Sequence, residues 1–164
     1  MSTAEILVTG RAFSRRGLRA VEPTTEAMIM SAQQQIHLAA YLITESACSI
    51  VDLLEMALAR GVAVSIIVNK LDVQVAPVVD RLRDLARRFS HMRLLSFNDP
   101  AGTQLHAKVL VADRRRALIG SANYSWGGLV ANHELAVLVE GGAAECVANL
   151  LEDLMSRFGQ PPDG

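Results

Sequence analysis

Apolar and polar positions divide the chain into alternating strand-like and helix-like segments. Glu5 to Val8 predicts a short strand ending at Gly10. Pro23, followed by Thr24, Thr25 and Glu26, suits the first turn of a helix, with Ala27, Met28, Ser31 and Ala32 as its buried stripe. Gln35 to Thr44 is apolar and short, and reads as a buried strand. Ser46 to Arg60 is a helix, because Ile50, Leu53, Leu54, Ala57 and Leu58 recur at i, i+3, i+4, i+7 and i+8; Gly61 stops it. The β-branched run Val62 to Val68 predicts a buried strand. Val78 to Phe89 is a further helix, with Val78, Val79, Leu82, Leu85, Ala86 and Phe89 on one face. Met92 to Phe97 is a strand, and Asn98 to Gly102 a loop. Leu105 to Ala112 and Arg116 to Gly120 read as strands joined by a charged turn, Asp113 to Arg115. Glu134 to Glu140 is another strand, closed by Gly141 and Gly142. Ala143 to Phe158 is the last helix, with Val147, Leu150, Leu151, Leu154, Met155 and Phe158 on one face, and residues 159–164 form a tail.

Strands alternating with helices imply a layered α/β domain. The short connections late in the chain imply a mixed rather than all-parallel sheet. The 164 residues fit one domain, and apolar residues make up 51% of them, so low-hydrophobicity disorder is excluded. The formal net charge of -1 advertises no polyanion partner, although a local basic face is compatible with it. Cys48 and Cys146 sit in apolar helical patterns and read as reduced core thiols. No Cys/His ladder suggests a zinc site. No apolar run reaches the roughly 18 residues of a membrane span, and the N-terminus lacks the marks of a secretion signal. The expectation is a soluble cytoplasmic domain. No phosphate-cradling glycine loop is present. The basic residues are 14 Arg and only two Lys, Lys70 and Lys108, so a retained lysine draws notice for its compact ammonium.

Candidate chemistry is concentrated between His106 and Glu134. On the predicted strand, His106 and Lys108 are two apart and project from one face. Gly120, Ser121 and Asn123 end the next strand and can join the same patch, with Gly120 allowing close backbone approach. This set suits phosphoryl transfer. An imidazole can attack phosphorus, and an ammonium with neutral donors can stabilise the non-bridging oxygens. A carboxylate such as Glu134 can fix the imidazole tautomer.

The stretch His106-x-Lys108-x4-Asp113-x6-Gly120-Ser121-x-Asn123 resembles the HxK(x4)D(x6)GSxN signature of the phospholipase D superfamily. Asn132-x-Glu134 resembles its downstream Asn-x-Glu. Five further fixed residues after the histidine, at usages of about 5% each, recur by chance at roughly one start in 3 million, so the signal is specific. The resemblance extends over about residues 23–158, with the N-terminal basic segment and the tail flanking. It implies one phospholipase D-like domain, a mixed sheet sandwiched between helices. It also implies a reaction through a phosphohistidine with no metal or cofactor. The family mechanism uses two motifs and this chain carries one. The chain is therefore similar to the small bacterial endonucleases of the superfamily, which complete the site in a homodimer. By resemblance His106 is the nucleophile, or the acid in the second copy. Lys108, Ser121 and Asn123 hold phosphate oxygens, Glu134 orients His106, and Asp113 fills the motif's aspartate or pairs with an arginine of its own turn. Two equivalent histidines in different protonation states imply a bell-shaped pH profile.

Three arginine clusters could meet a nucleic acid. Arg11, Arg15, Arg16 and Arg19 lie in a weakly patterned N-terminal segment. Arg81, Arg83, Arg87, Arg88 and Arg93 lie on or just past a helix, where a solvated face is the plainer reading. Arg114 to Arg116 occupy the turn. Tyr124 and Trp126 could stack on a base or pack beneath their loop. His37 reads as a bonded core residue, His133 as surface, and His91 as a helix-end histidine. The expected function is a metal-independent nuclease on DNA or RNA, with phage defence as its expected setting and room for a partner protein. The alternatives are a lipid phosphodiesterase and a non-catalytic nucleic-acid-binding module.

Overall fold

A computed structural model describes residues 1–13 and 17–162; Arg15 and Arg16 lie outside the described residues. The elements run β1 (Thr3–Thr9), β2 (Arg19–Ala20), α1 (Val21–Ser31), β3 (Gln35–Ala40), α2 (Cys48–Ala59), β4 (Ala63–Asn69), α3 (Ala76–Arg88), β5 (Met92–Phe97), β6 (Lys108–Ala112), β7 (Arg116–Gly120), β8 (Glu134–Glu140), α4 (Gly142–Phe158) and β9 (Gly159–Gln160). Among the described residues the strands form one sheet in the order β2-β1-β8-β7-β6-β3-β4-β5-β9. β3, β4 and β5 are parallel, as their helical crossovers require. β6, β7 and β8 are antiparallel to their neighbours, so the sheet is mixed.

Helices α1, α2 and α3 cover one face of the sheet, where Ile36, Leu38, Val64, Ile66 and Leu110 meet Met28, Ile50, Leu54 and Leu82. Helix α4 covers the other, where Ala39, Ile67, Val109 and Val111 meet Ala144, Ala148, Leu151 and Met155. The architecture is helix, mixed sheet, helix. Among the described residues no helix is long and apolar enough to cross a membrane.

Four local expectations are corrected. In α1 the buried face is Val21, Thr24, Thr25, Met28 and Ile29, while Ala27 and Ser31 are exposed. Thr24 and Thr25 can be buried because their hydroxyls donate to the carbonyls of Ala20 and Val21 at 2.8 and 2.9 Å. In α4 Leu150 is 64% exposed, because the alanines at 144 and 148 make the sheet contact. β3 stops at Ala40, and the following residues turn away into a short 3-10 turn, Glu45–Ala47, that leads into α2. The cysteines are not core thiols: Cys146 is exposed and Cys48 half-buried, both free.

Candidate active site

Strand direction brings the site together along one rim of the sheet. β3 and β4 end there at Ala40 and Asn69. β6 is antiparallel to β3 with Ala39 opposite Val109, so Lys108 lies at the same rim. Lys108 pairs with Gly120, Gly120 with Ala136, and Thr9 with Glu134, which carries the rim on through β7 and β8 to β1. Gly120 is required here: a Cβ on it would fall 2.7 Å from Ala136 Cβ and 2.9 Å from the Leu135 carbonyl.

His106 is not on a strand, contrary to the sequence expectation. β6 begins at Lys108, because the Leu105 amide donates to Asn69 Oδ1 at 2.9 Å and draws residues 105–107 out of the ladder. The two side chains meet by another route. Lys108 Nζ lies 3.0 Å from His106 Nδ1 and 3.2 Å from Nε2, and donates to the His106 carbonyl at 2.8 Å. His106 is exposed; Lys108 is only 7% exposed. The Tyr41 ring packs on the imidazole with centroids 4.4 Å apart, and Lys108 Nζ lies 5.0 Å from the same ring's centroid. Burial lowers the Lys108 pKa, and the Glu134 charge opposes that shift only in part. Among the described residues no carboxylate oxygen comes within 4 Å of this ammonium.

Glu134 accepts a short hydrogen bond from the Ser121 hydroxyl and a longer one, 3.5 Å, from the Asn132 amide. Its carboxylate thus holds Ser121 rather than the His106 ring. Asn123 is half-buried beside a π turn, Gly127–Ala131, and its Oδ1 is buried without a hydrogen-bond partner. The turn packs on the Asn123 backbone so closely that a Cβ on Gly128 would lie 2.3 Å from the Asn123 carbonyl oxygen.

The other candidates lie elsewhere. Asp113 stands at the opposite end of β6, and its carboxylate accepts the amides of Gln33, Gln34 and Gln35 at 2.8–3.2 Å, not an arginine of its turn. Arg114 is bonded to Glu152 and Asn149 on α4, and Arg115 is exposed on the same distant turn. Arg11 is exposed just past β1, on the rim beside Glu134. Tyr124 is buried, its backbone bonded to Leu42 and Thr44, and burial pushes its phenol pKa upward; the packing alternative describes it. Trp126 is 61% exposed, leaving its ring free to stack. Arg81, Arg87 and Arg88 are ion-paired along α2 and α3, Arg83 pairs with Asp72 in the turn before α3, and Arg19 pairs with Glu5. His133 is exposed and accepts the Ala12 amide, and His91 contacts the Leu58 carbonyl at the end of α2. Sequence reasoning missed Tyr41 and Asn69. The available signal was their place at the carboxyl ends of central parallel strands, where α/β sheets bind ligands.

A mixed sheet between helix layers, with His106, Lys108, Ser121 and Glu134 gathered on one rim, defines the phospholipase D-like class. The chain belongs to that family: the family model described as cardiolipin synthase, PLD-like domain, matches residues 26–158. A curated relative, the DISARM protein DrmC of Bacillus paralicheniformis, is 32% identical over 133 residues. The match takes in 79% of this chain and 54% of the relative, so the chain spans about half the length of that protein. Among solved structures, Nuc of Salmonella typhimurium, a phospholipase D family member, superposes with a TM-score of 0.78 at 22% identity, covering 100% of both chains. NucT of Helicobacter pylori gives 0.78 at 16% identity, covering 99% of this chain and 100% of that one. Both share the fold.

Proposed function

We propose that the chain is a phosphodiesterase that cleaves nucleic acid as a homodimer, His106 being the nucleophile. The observation that carries this reading is Lys108. A nearly buried ammonium without a carboxylate in contact is costly, and a bound anion would relieve the cost. It lies against the exposed imidazole of His106, so an anion drawn to it would be presented to a nucleophile. A phosphodiester supplies both the anion and the electrophilic centre.

In the proposed step an imidazole nitrogen of His106 attacks phosphorus, and the bond to the leaving oxygen breaks as a proton reaches that oxygen from the His106 of a second copy. Water then attacks phosphorus, gives a proton to that second histidine, and displaces the first. Lys108 and the Ser121 hydroxyl receive the non-bridging oxygens, with Ser121 turning from Glu134 to do so. Asn123 and Trp126 are kept as phosphate and base contacts. Because an imidazole is the nucleophile, no metal is needed by this scheme. An accessory role in bacterial phage defence is part of the proposal, and the likeness to the DISARM protein DrmC supports it.

The test is cleavage of single- and double-stranded DNA and RNA in excess EDTA, comparing wild type with His106→Ala. The expected result is EDTA-resistant cleavage that the variant loses. Nucleic-acid binding that survives His106→Ala, with no turnover by the wild type, would replace this reading with a binding module. Hydrolysis of phospholipid vesicles in place of nucleic acid would replace it with the lipid enzyme.

A further inference from the structure

A groove of about 420 Å³ opens on the same rim, next to the candidate site but outside it. Its walls come from Leu18, Pro23, Leu129 and Val130, and its polar positions include Arg11 and Glu22. Two relationships fix its position. Thr9, which lines it, pairs directly with Glu134, so the groove begins on the strand next to Glu134, the two backbones being about 4.8 Å apart. Leu129 lines both the groove and the small cavity under Lys108 and Gly120. Across the backbones the groove's strand β1 lies three strand spacings, roughly 14 Å, from Lys108 on β6, a span of a few nucleotides.

We propose that this groove receives one unpaired nucleobase of the substrate strand, a few nucleotides from the scissile phosphate. This deepens the nuclease reading and rests on it. The volume is large enough to admit a base together with its sugar. The apolar walls offer van der Waals contact to the base faces. Glu22 is half-buried and makes no ion pair among the described residues, so its carboxylate can accept N–H groups from a base edge. Arg11 gives the rim a positive charge for the strand's phosphates. A base inside a duplex cannot enter, so the substrate is single-stranded, or has its base turned out of the stack. The mixed polar lining favours a base over the apolar face of a second copy.

The experiment uses the full chain, two substrates and one groove-filling variant, Val130→Trp, at an exposed position. The substrates are bis(p-nitrophenyl) phosphate and a single-stranded oligonucleotide, the latter also made with abasic residues at the few positions flanking each cleaved bond. The expected result is at least a tenfold greater loss of kcat/KM on the oligonucleotide than on the small diester. The abasic oligonucleotide should lose a similar factor with wild type and little more with the variant. Equal losses on both substrates, or an abasic oligonucleotide cleaved like the intact one, overturn the subsite and leave the nuclease reading standing. Conversion of a dimer to a monomer by Val130→Trp, with both activities lost together, assigns the groove to a second copy instead. Wild-type hydrolysis of the small diester without any oligonucleotide cleavage overturns the nuclease reading and the subsite with it.

Discussion

The imidazole of His106 leans on the ring of Tyr41, centroids 4.4 Å apart and planes at 54°, while the Lys108 ammonium sits 5.0 Å from the same ring's centroid. One aromatic side chain thus touches both the candidate nucleophile and the cation beside it. His106 stands on an irregular segment and lacks the support of a strand ladder, so this contact, the Leu105–Asn69 bond and the Lys108 contacts to its ring and carbonyl locate it. Tyr41 is a positioning residue by this geometry. Tyr41→Leu should lower kcat on bis(p-nitrophenyl) phosphate by about 10–100-fold with a smaller change in KM, since small misplacements of reacting groups are costly. Tyr41→Phe should keep most of the activity, because the ring makes the contacts. Steady-state kinetics of both variants, with thermal melts as a folding control, decide it; equal rates for Leu and Phe would sink the assignment.

Under the proposed function, Lys108 is held for chemistry at the expense of stability. Its pKa is lowered mainly by burial, so the folded protein releases that proton at a lower pH than the unfolded chain does. Where the unfolded chain binds more protons, stability rises with pH. Urea midpoints should therefore climb between the lowered pKa of Lys108 and its ordinary value of 10.5, and Lys108→Met should remove that climb. At neutral pH the methionine variant should be as stable as wild type or more so, while its diester hydrolysis is lost. A clear fall in the urea midpoint would mean that Lys108 is a structural cation.

Asp113 matches the family aspartate yet serves the far edge. Asp113 and Arg114 have φ values of 54° and 58°, a turn that suits Asp and is costly for Arg. The carboxylate secures this turn to residues 33–35. Burial alone would raise its pKa, but the three amides and the Arg116 charge outweigh burial and hold it below the ordinary value. Its contribution to stability is present above pH 3.8 and is lost as pH falls through the lowered value. Asp113→Ala should cost about 2–3 kcal/mol, the range of charge-assisted hydrogen bonds. Below its melting temperature the variant should hydrolyse the small diester at close to the wild-type rate. A rate lost in a well-folded variant would return Asp113 to the reaction.

Legibility followed how local each determinant is. β7 and β8 were readable to the residue, because Gly120 and Gly141 bound them and their apolar runs are uninterrupted. The layered fold followed from alternating periods. The start of β6 was not readable, since an asparagine 36 positions earlier takes the Leu105 amide, and no pattern in residues 105–107 reports that. The stripe of α1 was misplaced because two threonines satisfied their hydroxyls within the helix and became burial-competent. The motif disclosed His106, Lys108, Ser121 and Glu134, but not that Glu134 holds Ser121. It could not disclose Tyr41, whose place depends on the pairing of β3 with β6. Arginine density was the weakest guide, as the α3 arginines are consumed by carboxylates of α2, of α3 itself and, for Arg83, of the turn at Asp72.

A last prediction concerns His37, in the core beneath α4. Its Nε2 lies 3.6 Å from Glu152 Oε1, and its Nδ1 is buried without a hydrogen-bond partner. Burial lowers its pKa; Glu152 works against this, and the charges of Arg114 and Arg93 add to it. The folded protein thus resists protonation at a pH where the unfolded chain, with an ordinary value of 6.5, accepts the proton. The unfolded state binds more protons in that window, so stability is full above 6.5 and declines as pH falls toward the lowered value. The decline is separate from that of Asp113, which begins only in the more acidic carboxylate range. Thermal melts from pH 8 to pH 5 should show wild-type Tm falling below pH 6.5, with a shallower fall in His37→Gln, which keeps a polar side chain and cannot titrate. Parallel curves for the two proteins would show that His37 does not set the acid limit of this fold.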